Sequence, residues 1–180
     1  PDHGPVWREA DDIAHIINSY VQWAAQKPAP KAVVVYDTMW GSTELMARAV
    51  SEGLEKEGVS VRLMNLKGAH RSDVATEVLE AGALLVGSPT INNNIFPTVA
   101  DVMSYLKGLK PKNKIGAAFG SYGWSGESVK QLDAILDEMK VERVGESVSV
   151  EYVPGGEALS RCFELGKTVG NTLNARINNL

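Results

Sequence analysis

Residues 38–43, Thr38-Met39-Trp40-Gly41-Ser42-Thr43, combine hydroxyl side chains with a glycine between two regular patterns. They follow an apolar run at 32–36, which predicts a strand, and they precede a helical pattern that begins near Glu44. The first N–H groups of a helix have no partner inside it, and together with the helix dipole they attract anions. This segment, the first loop, therefore predicts a phosphate-binding turn.

The composition of the first loop narrows the choice of anion. A nucleoside-triphosphate loop places a lysine before its final Ser or Thr, and a dinucleotide fold shows the pattern Gly-x-Gly-x-x-Gly. The first loop has neither pattern and contains no Lys or Arg. Backbone N–H groups and the hydroxyl groups of Thr38, Ser42 and Thr43 must then hold the anion, and a single phosphate monoester fits them best.

A second loop, Ser88-Pro89-Thr90-Ile91-Asn92-Asn93-Asn94, carries three consecutive asparagines. Their amides can donate and accept hydrogen bonds along the edge of a heterocycle. A turn in which asparagine serves only the backbone geometry is an equally good explanation of this loop taken alone.

A third loop, Ser121-Tyr122-Gly123-Trp124-Ser125-Gly126, alternates aromatic residues with glycine and serine. Glycine lets the backbone approach a ligand closely, and flat aromatic faces can stack on a ring. Trp40 adds an aromatic candidate from the first loop, and Trp124 is the best candidate to cover one ring face. A flat aromatic ligand with one phosphate accounts for all three loops, and flavin mononucleotide (FMN) matches that description.

The elements that position these loops alternate along the chain, after a helical pattern over 8–26 and a proline-containing linker over 27–30. Strands are predicted at 31–37, 59–66, 82–88, 113–120 and 144–152, and helices at 43–57, 71–80, 96–108, 125–139 and 156–176. Strands that alternate with helices predict an α/β fold with a doubly wound, five-stranded parallel sheet. Ligands bind at the carboxyl ends of such strands, where the three loops are expected to meet.

The overall composition limits the possible partners and compartments. The 180 residues carry a net charge of −4 without a basic stripe, which predicts no nucleic-acid partner. No apolar run approaches the roughly 20 residues of a membrane span, so no membrane partner is expected. Cys162 is the only cysteine, which permits no internal disulfide and suits a reducing cytoplasm.

Three motifs together carry a family resemblance: Tyr36-Asp37 followed by the first loop, Gly87-Ser88-Pro89-Thr90, and Phe119-Gly120 followed by the third loop. They resemble the flavodoxin domain of flavodiiron proteins (A-type flavoproteins), and the resemblance covers nearly the whole chain. It implies a flavodoxin-like sheet with strand order 2-1-3-4-5, an extra N-terminal helix, and FMN bound by the three loops. It also implies that FMN passes electrons from rubredoxin or another reduced donor to a diiron centre, which reduces oxygen, nitric oxide or both.

The amino end supports the same resemblance. Residues 1–8 resemble the segment that closes the metallo-β-lactamase-like domain of that family, where the matching histidine is the last iron ligand. His3 is therefore implied as an iron ligand, but only in an intact protein with the other ligands upstream. The start has neither an initiator Met nor a signal pattern, so we expect a piece of a longer chain or a processed product.

The resemblance also implies a division of the chain. Residues 1–30 would be the end of the upstream domain plus a connecting helix, and residues 31–180 the flavodoxin-like FMN domain. The intact protein would be a homodimer, in which the flavin serves the diiron domain of the same or the neighbouring subunit.

Three alternatives remain at this point. A free-standing flavodoxin, an electron shuttle, explains residues 31–180 but not the 1–30 extension. A receiver-type signalling domain needs a phosphoacceptor Asp where this chain has Gly87-Ser88-Pro89, and a quinone reductase needs an insertion that this chain lacks. No nucleophile–base pair or paired carboxylates are evident, so we predict no catalytic residues in this chain. The resemblance implies oxidoreductase activity for the intact protein and leaves open whether the isolated chain is an enzyme.

Overall fold

The computed structural model describes residues 4–179, so His3 and its predicted metal role lie outside the described residues. The helices are α1 (Ala10–Ala25), α2 (Ser42–Lys56), α3 (Arg71–Glu80), α4 (Pro97–Leu109), α5 (Glu127–Glu138) and α6 (Gly156–Asn178). The strands are β1 (Ala29–Tyr36), β2 (Ser60–Asn65), β3 (Ala81–Gly87), β4 (Thr90–Ile91), β5 (Asn94–Ile95), β6 (Ile115–Tyr122), β7 (Glu142–Arg143) and β8 (Val148–Glu151).

The main sheet is parallel and runs β2-β1-β3-β6, with β7 and β8 both pairing with the free edge of β6. Since β7 and β8 occupy the fifth position one after the other, the predicted order 2-1-3-4-5 is confirmed. The prediction of a single strand over 144–152 is wrong. Residues 144–147 interrupt it between β7 and β8. In this interruption Gly145 has φ +76°, and the Ser147 hydroxyl accepts a hydrogen bond from the Ala118 N–H at 3.3 Å in place of a ladder bond.

Helices cover both faces of the sheet, which explains why β1 and β3 are continuous apolar runs. On one face α2 and α6 pack over side chains such as Val34 and Leu85, and on the other α3, α4 and α5 pack over Val33 and Leu84. The α2–α6 contact depends on glycine, because a Cβ on Gly53 would lie 2.1 Å from the Phe163 carbonyl oxygen. This packing fixes β1, β3 and β6, whose carboxyl ends carry the three loops.

Helix α1 contains no buried residue. Its C-terminal end contacts the domain through Gln26, whose side-chain oxygen accepts a hydrogen bond from the Lys112 N–H at 2.7 Å. Its apolar residues Ile13, Ile17, Tyr20 and Val21 are exposed. Within residues 4–179, no helix combines the length and the apolarity that crossing a bilayer requires.

Candidate functional site

The three predicted loops converge on one cleft of about 620 Å³ at the carboxyl ends of β1, β3 and β6. This volume falls in the range of small-molecule sites, roughly 300–1,000 Å³. Thirteen of the predicted site residues line it: Thr38, Met39, Trp40, Ser42, Pro89, Thr90, Ile91, Asn92, Ser121, Tyr122, Gly123, Trp124 and Ser125. Within the described part of the chain, the lining contains no charged side chain.

The first loop turns sharply into α2 at Gly41, which has φ +90°. Nothing lies within 4 Å of the position where a Cβ of Gly41 would be, so the backbone conformation, not crowding, favours glycine here. The Gly41 N–H donates to the Thr38 hydroxyl at 3.0 Å and tightens the turn. Helix α2 then begins without a side-chain cap from any described residue, which leaves its first N–H groups available to an anion.

The buried carboxylate of Asp37 holds the first loop in place through hydrogen bonds. Asp37 is 1% exposed, and its two oxygens accept hydrogen bonds from the Thr38 N–H at 2.7 Å and the Thr98 hydroxyl at 2.5 Å. Because Thr98 lies in the first turn of α4, Asp37 ties the first loop to the helix that follows the second loop. Asp37 belongs to the first of the three resemblance motifs, but it is not among the predicted site residues, because a lone Asp at the end of a strand indicates no particular ligand chemistry.

The first and third loops are joined through two buried hydroxyl groups. The Thr43 Oγ1 and Ser121 Oγ atoms lie 3.0 Å apart at hydrogen-bond distance. Thr43 therefore does not face the cleft, but its hydrogen bond positions Ser121, which does.

The second loop is a β-hairpin, in which β4 and β5 pair through a two-residue turn. The turn residues Asn92 and Asn93 have φ values of +49° and +60°, the left-handed conformation that tight hairpins need and that asparagine tolerates. Backbone geometry therefore explains two of the three asparagines. Asn92 also lines the cleft, so the two interpretations of this loop are compatible.

The side-chain amides of Asn93 and Asn94 form hydrogen bonds with the third loop and α5. The Asn93 side-chain oxygen accepts from the Ser125 hydroxyl at 3.1 Å, and the Asn94 side-chain oxygen accepts from the Gln131 amide at 3.3 Å. The Thr90 hydroxyl donates to the Ser128 hydroxyl at 2.8 Å. These contacts hold the second loop against the third loop and α5, and they give the cleft a fixed wall.

Aromatic side chains form an exposed rim around the cleft. Trp40 is 92% exposed and Trp124 is 87% exposed, although both contribute to the lining. Large apolar side chains are rarely left this open without a partner, and exposed aromatic clusters mark binding surfaces. The rim is suited to a flat ring that inserts between the loops.

A fourth segment, residues 152–153, completes the lining with Tyr152 and Val153. The sequence pattern indicates neither residue as a site residue, because it places residue 152 at the end of a strand. Their position follows from the β6–β8 pairing, which brings the end of β8 beside the third loop.

Six predicted residues surround the cleft without lining it: Gly41, Thr43, Ser88, Asn93, Asn94 and Gly126. Among them, Ser88 is buried, and its hydroxyl oxygen accepts a hydrogen bond from the Phe96 N–H at 2.9 Å. A Cβ on Gly126, the residue before α5, would lie 3.0 Å from the Tyr122 ring, so this glycine leaves room for an aromatic residue of the lining.

The described residues offer no group of three or more His, Cys, Asp or Glu side chains that could hold a metal ion. His70 instead accepts a hydrogen bond from the Ser72 N–H at 3.3 Å and caps α3.

Comparison with known proteins places this cleft in context. The sequence profile of the flavodoxin family matches residues 34–166. A nitric oxide reductase from Moorella thermoacetica is 48% identical over 170 residues, which are 94% of this chain and 42% of that protein. The chain thus spans less than half the length of this relative.

Two solved structures share the fold over 98% of this chain and 44% of their own chains. The rubredoxin oxygen:oxidoreductase from Desulfovibrio gigas superposes with a TM-score of 0.94 at 45% identity. The flavodiiron protein from Giardia intestinalis superposes with a TM-score of 0.90 at 30% identity. With 98% of the chain covered, these matches include α1 as well as the sheet.

Proposed function

Because this chain belongs to the flavodoxin family and corresponds to the flavodoxin-like domain of flavodiiron proteins, we propose that its cleft binds FMN and transfers electrons through it. The observation that carries this proposal is the convergence of three separate loops on one uncharged, aromatic-rimmed cleft beside an uncapped helix start. The matches to known proteins confirm the family that the three motifs indicate, and the roles of individual residues are the subject of the proposal.

The donor set of the cleft fits a phosphate monoester joined to a planar ring. The start of α2 lacks a side-chain cap from the described residues, and the left-handed Gly41 turns the backbone there without filling the space beside it. N–H groups and hydroxyls thus face the position of the phosphate without a lysine or arginine to pair with it. The rest of the lining is largely aromatic or aliphatic, as the ring requires.

We assign the phosphate to the first loop, with Thr38 and Ser42 as side-chain donors. The ring then lies between the second and third loops, where Trp124 covers one face and Asn92 lies near the polar edge. The flavin supplies the redox chemistry when it is bound. The chain itself binds the phosphate, orients the ring and limits the access of water.

For the whole protein we propose the activity of the flavodiiron class. In that proposal residues 1–30 close an upstream diiron domain and connect it to the FMN domain, His3 is an iron ligand in the intact protein, and the protein acts as a homodimer in the cytoplasm. Rubredoxin is the preferred donor, because one relative is a rubredoxin oxygen:oxidoreductase. Oxygen and nitric oxide are both candidate acceptors, since another relative is a nitric oxide reductase.

A free-standing flavodoxin is the alternative, and α1 argues against it. The helix exposes Ile13, Ile17, Tyr20 and Val21 without burying any residue, and the matches to the two longer proteins include it. An electron shuttle that acts alone has no need of such a helix.

The test is cofactor identity followed by electron transfer. The purified chain should bind one equivalent of FMN, with weaker binding of riboflavin, which lacks the phosphate, and of flavin adenine dinucleotide, whose adenylate needs further space. Reduced rubredoxin should then reduce the FMN-loaded chain. Equal affinities for FMN and riboflavin would contradict the phosphate assignment, and failure to bind any flavin would overturn the proposed function.

A further inference from the structure

Tyr152 has a backbone conformation that its side chain does not favour. It follows β8 directly and has φ +59°, in the left-handed region. Among the described residues with positive φ other than glycine, the rest are Gln26, Asn92, Asn93, Lys110, Asn113 and Lys140, so Tyr152 alone carries a ring. Bulky residues rarely adopt this conformation, and where they do the strain often accompanies a function.

Packing within the chain does not explain the choice of tyrosine. Tyr152 is 66% exposed and the next residue, Val153, is 72% exposed. The Tyr152 N–H donates to the Tyr122 carbonyl oxygen at 2.7 Å, which extends the β6–β8 ladder, but any residue except proline could donate this bond. Within residues 4–179, neither burial nor a hydrogen bond of its side chain therefore offsets the strain.

The strained residue lies at the cleft. Tyr152 and Val153 both contribute to its lining, and the pairing of β8 with β6 brings them beside the third loop. A Cβ added to Gly123 would lie 3.9 Å from the Cε1 atom of Tyr152, so the tyrosine ring lies against the backbone of the third loop. The left-handed conformation thus accompanies an aromatic ring placed at the edge of the cleft.

We propose that Tyr152 is a fourth ligand-contacting element of the site, whose ring packs against the planar ring system of the bound flavin and shields it from water. The inference rests on the proposed FMN function. Contact with the ligand then provides the burial that the tyrosine lacks in the chain alone, which accounts for an aromatic residue at a position where glycine or asparagine would fold more easily.

The test separates folding from binding. The backbone conformation of residue 152 favours glycine, whereas the proposed contact with the flavin needs an aromatic side chain. Tyr152→Gly removes both the strain and the ring. The ligand-free chain should unfold at the same or a higher temperature than the wild type, while the Kd for FMN should rise about tenfold, as expected for the loss of one aromatic contact. Riboflavin binding should weaken by the same factor, since the contact is with the ring and not with the phosphate.

Lys140→Gly is the matched control. Lys140 is exposed, has φ +60° and does not line the cleft, so its replacement should raise the unfolding temperature and leave the Kd for FMN unchanged. Tyr152→Asn, which tolerates the same backbone without the ring, provides a second variant, and Tyr152→Phe should bind FMN more tightly than either.

Wild-type affinity for FMN in both Tyr152→Gly and Tyr152→Asn would overturn the inference. So would a loss confined to FMN with riboflavin unaffected, because that pattern places the effect at the phosphate. If the wild-type chain binds no flavin at all, the proposed function fails and this inference fails with it.

Discussion

The hydroxyl groups of Thr43 and Ser121 lie 3.0 Å apart, although 78 residues separate them in the chain. Both side chains are buried, and one belongs to the first loop while the other belongs to the third. Their hydrogen bond therefore fixes the distance between the part of the cleft assigned to the phosphate and the part assigned to the ring. The site is held in this arrangement by the protein's own contacts.

Replacement of Thr43 tests this link. Thr43→Val preserves the shape of the side chain but leaves the buried Ser121 hydroxyl without its partner, so the free energy of unfolding should fall by about 1–2 kcal/mol. The Kd for FMN should rise as well. Urea denaturation and a fluorescence titration measure the two effects.

Thr76→Val is a suitable control, because the exposed Thr76 hydroxyl donates to a carbonyl within its own helix and has no other partner among the described residues. It should change neither quantity by a comparable amount. A Thr43→Val variant as stable as the wild type would show that the hydroxyl pair does not support the site.

Any side chain at residue 41 should lower the stability of the protein, because Gly41 has a positive φ. Gly41→Ala adds a Cβ at φ +90°, and Gly58→Ala adds one at φ +76° in the turn after α2, with open space at both positions. Each variant should lose about 1–2 kcal/mol of stability from backbone strain alone. Only Gly41→Ala should weaken FMN binding, as measured by flavin fluorescence, and equal affinities in the two variants would contradict the assignment of the first loop.

The buried Asp37 carboxylate should lower the reduction potential of a bound flavin. Asp37→Asn keeps the size and can keep both hydrogen bonds, but it removes a negative charge next to the first loop, and electrostatic effects are strong in such a buried position. Reduction adds electrons to the ligand, so the midpoint potential should rise. Potentiometric titration of the FMN-loaded chain measures this change.

Asp101→Asn removes the same charge from an exposed position that pairs with Arg71, and its midpoint potential should match that of the wild type. An unchanged or lower potential in Asp37→Asn would exclude an electrostatic role for the carboxylate.

Lys114 should make stability depend on pH. It is 2% exposed, and its Nζ donates to the Ala81 carbonyl oxygen at 2.6 Å and the Leu79 carbonyl oxygen at 3.3 Å. Burial lowers the pKa of Lys114 from 10.5 to about 8. Between pH 8 and pH 10.5 the unfolded chain binds more protons than the folded chain, so the free energy of unfolding rises with pH in this range. Below about pH 8, Lys114 is protonated in both states and adds no pH dependence.

Lys114→Met removes this titration. The free energy of unfolding of the wild type should increase relative to the variant by about 2 kcal/mol between pH 7.5 and pH 10. Lys112→Met, at an exposed neighbouring position, should keep the wild-type slope. Parallel pH profiles for wild type and Lys114→Met would contradict the prediction.

The sequence predicted the elements of the fold well because the signals were local. Continuous apolar runs identify β1 and β3, and helical spacing identifies the amphipathic helices within a few residues. The interruption before β8 was not predicted, since residues 144–152 alternate as a strand would. Its cause is a tertiary contact, in which Ser147 bonds to both the Ala118 N–H and the Asp133 carboxylate.

Part of the cleft was predicted because the signals of its three loops are also local in the sequence. The three loops have compositions that indicate a ligand, and the parallel topology requires that they meet. Tyr152 was not predictable, because nothing in a tyrosine favours positive φ and because its place at the cleft depends on the pairing of β8 with β6. The turn interpretation of Asn92 and Asn93 was available from the sequence, because asparagine tolerates the left-handed conformation that both residues adopt.

The most direct test of the central claim is an amide NMR titration of the chain with FMN and, separately, with riboflavin. If the three loops bind one phosphorylated ring, FMN should shift the amide signals of Ser42 and Thr43 together with those of the second and third loops, at one equivalent. Riboflavin should shift the second and third loops while leaving the start of α2 unchanged. Shifts at the start of α2 with riboflavin, or FMN-induced shifts that leave the three loops unaffected, would contradict the account.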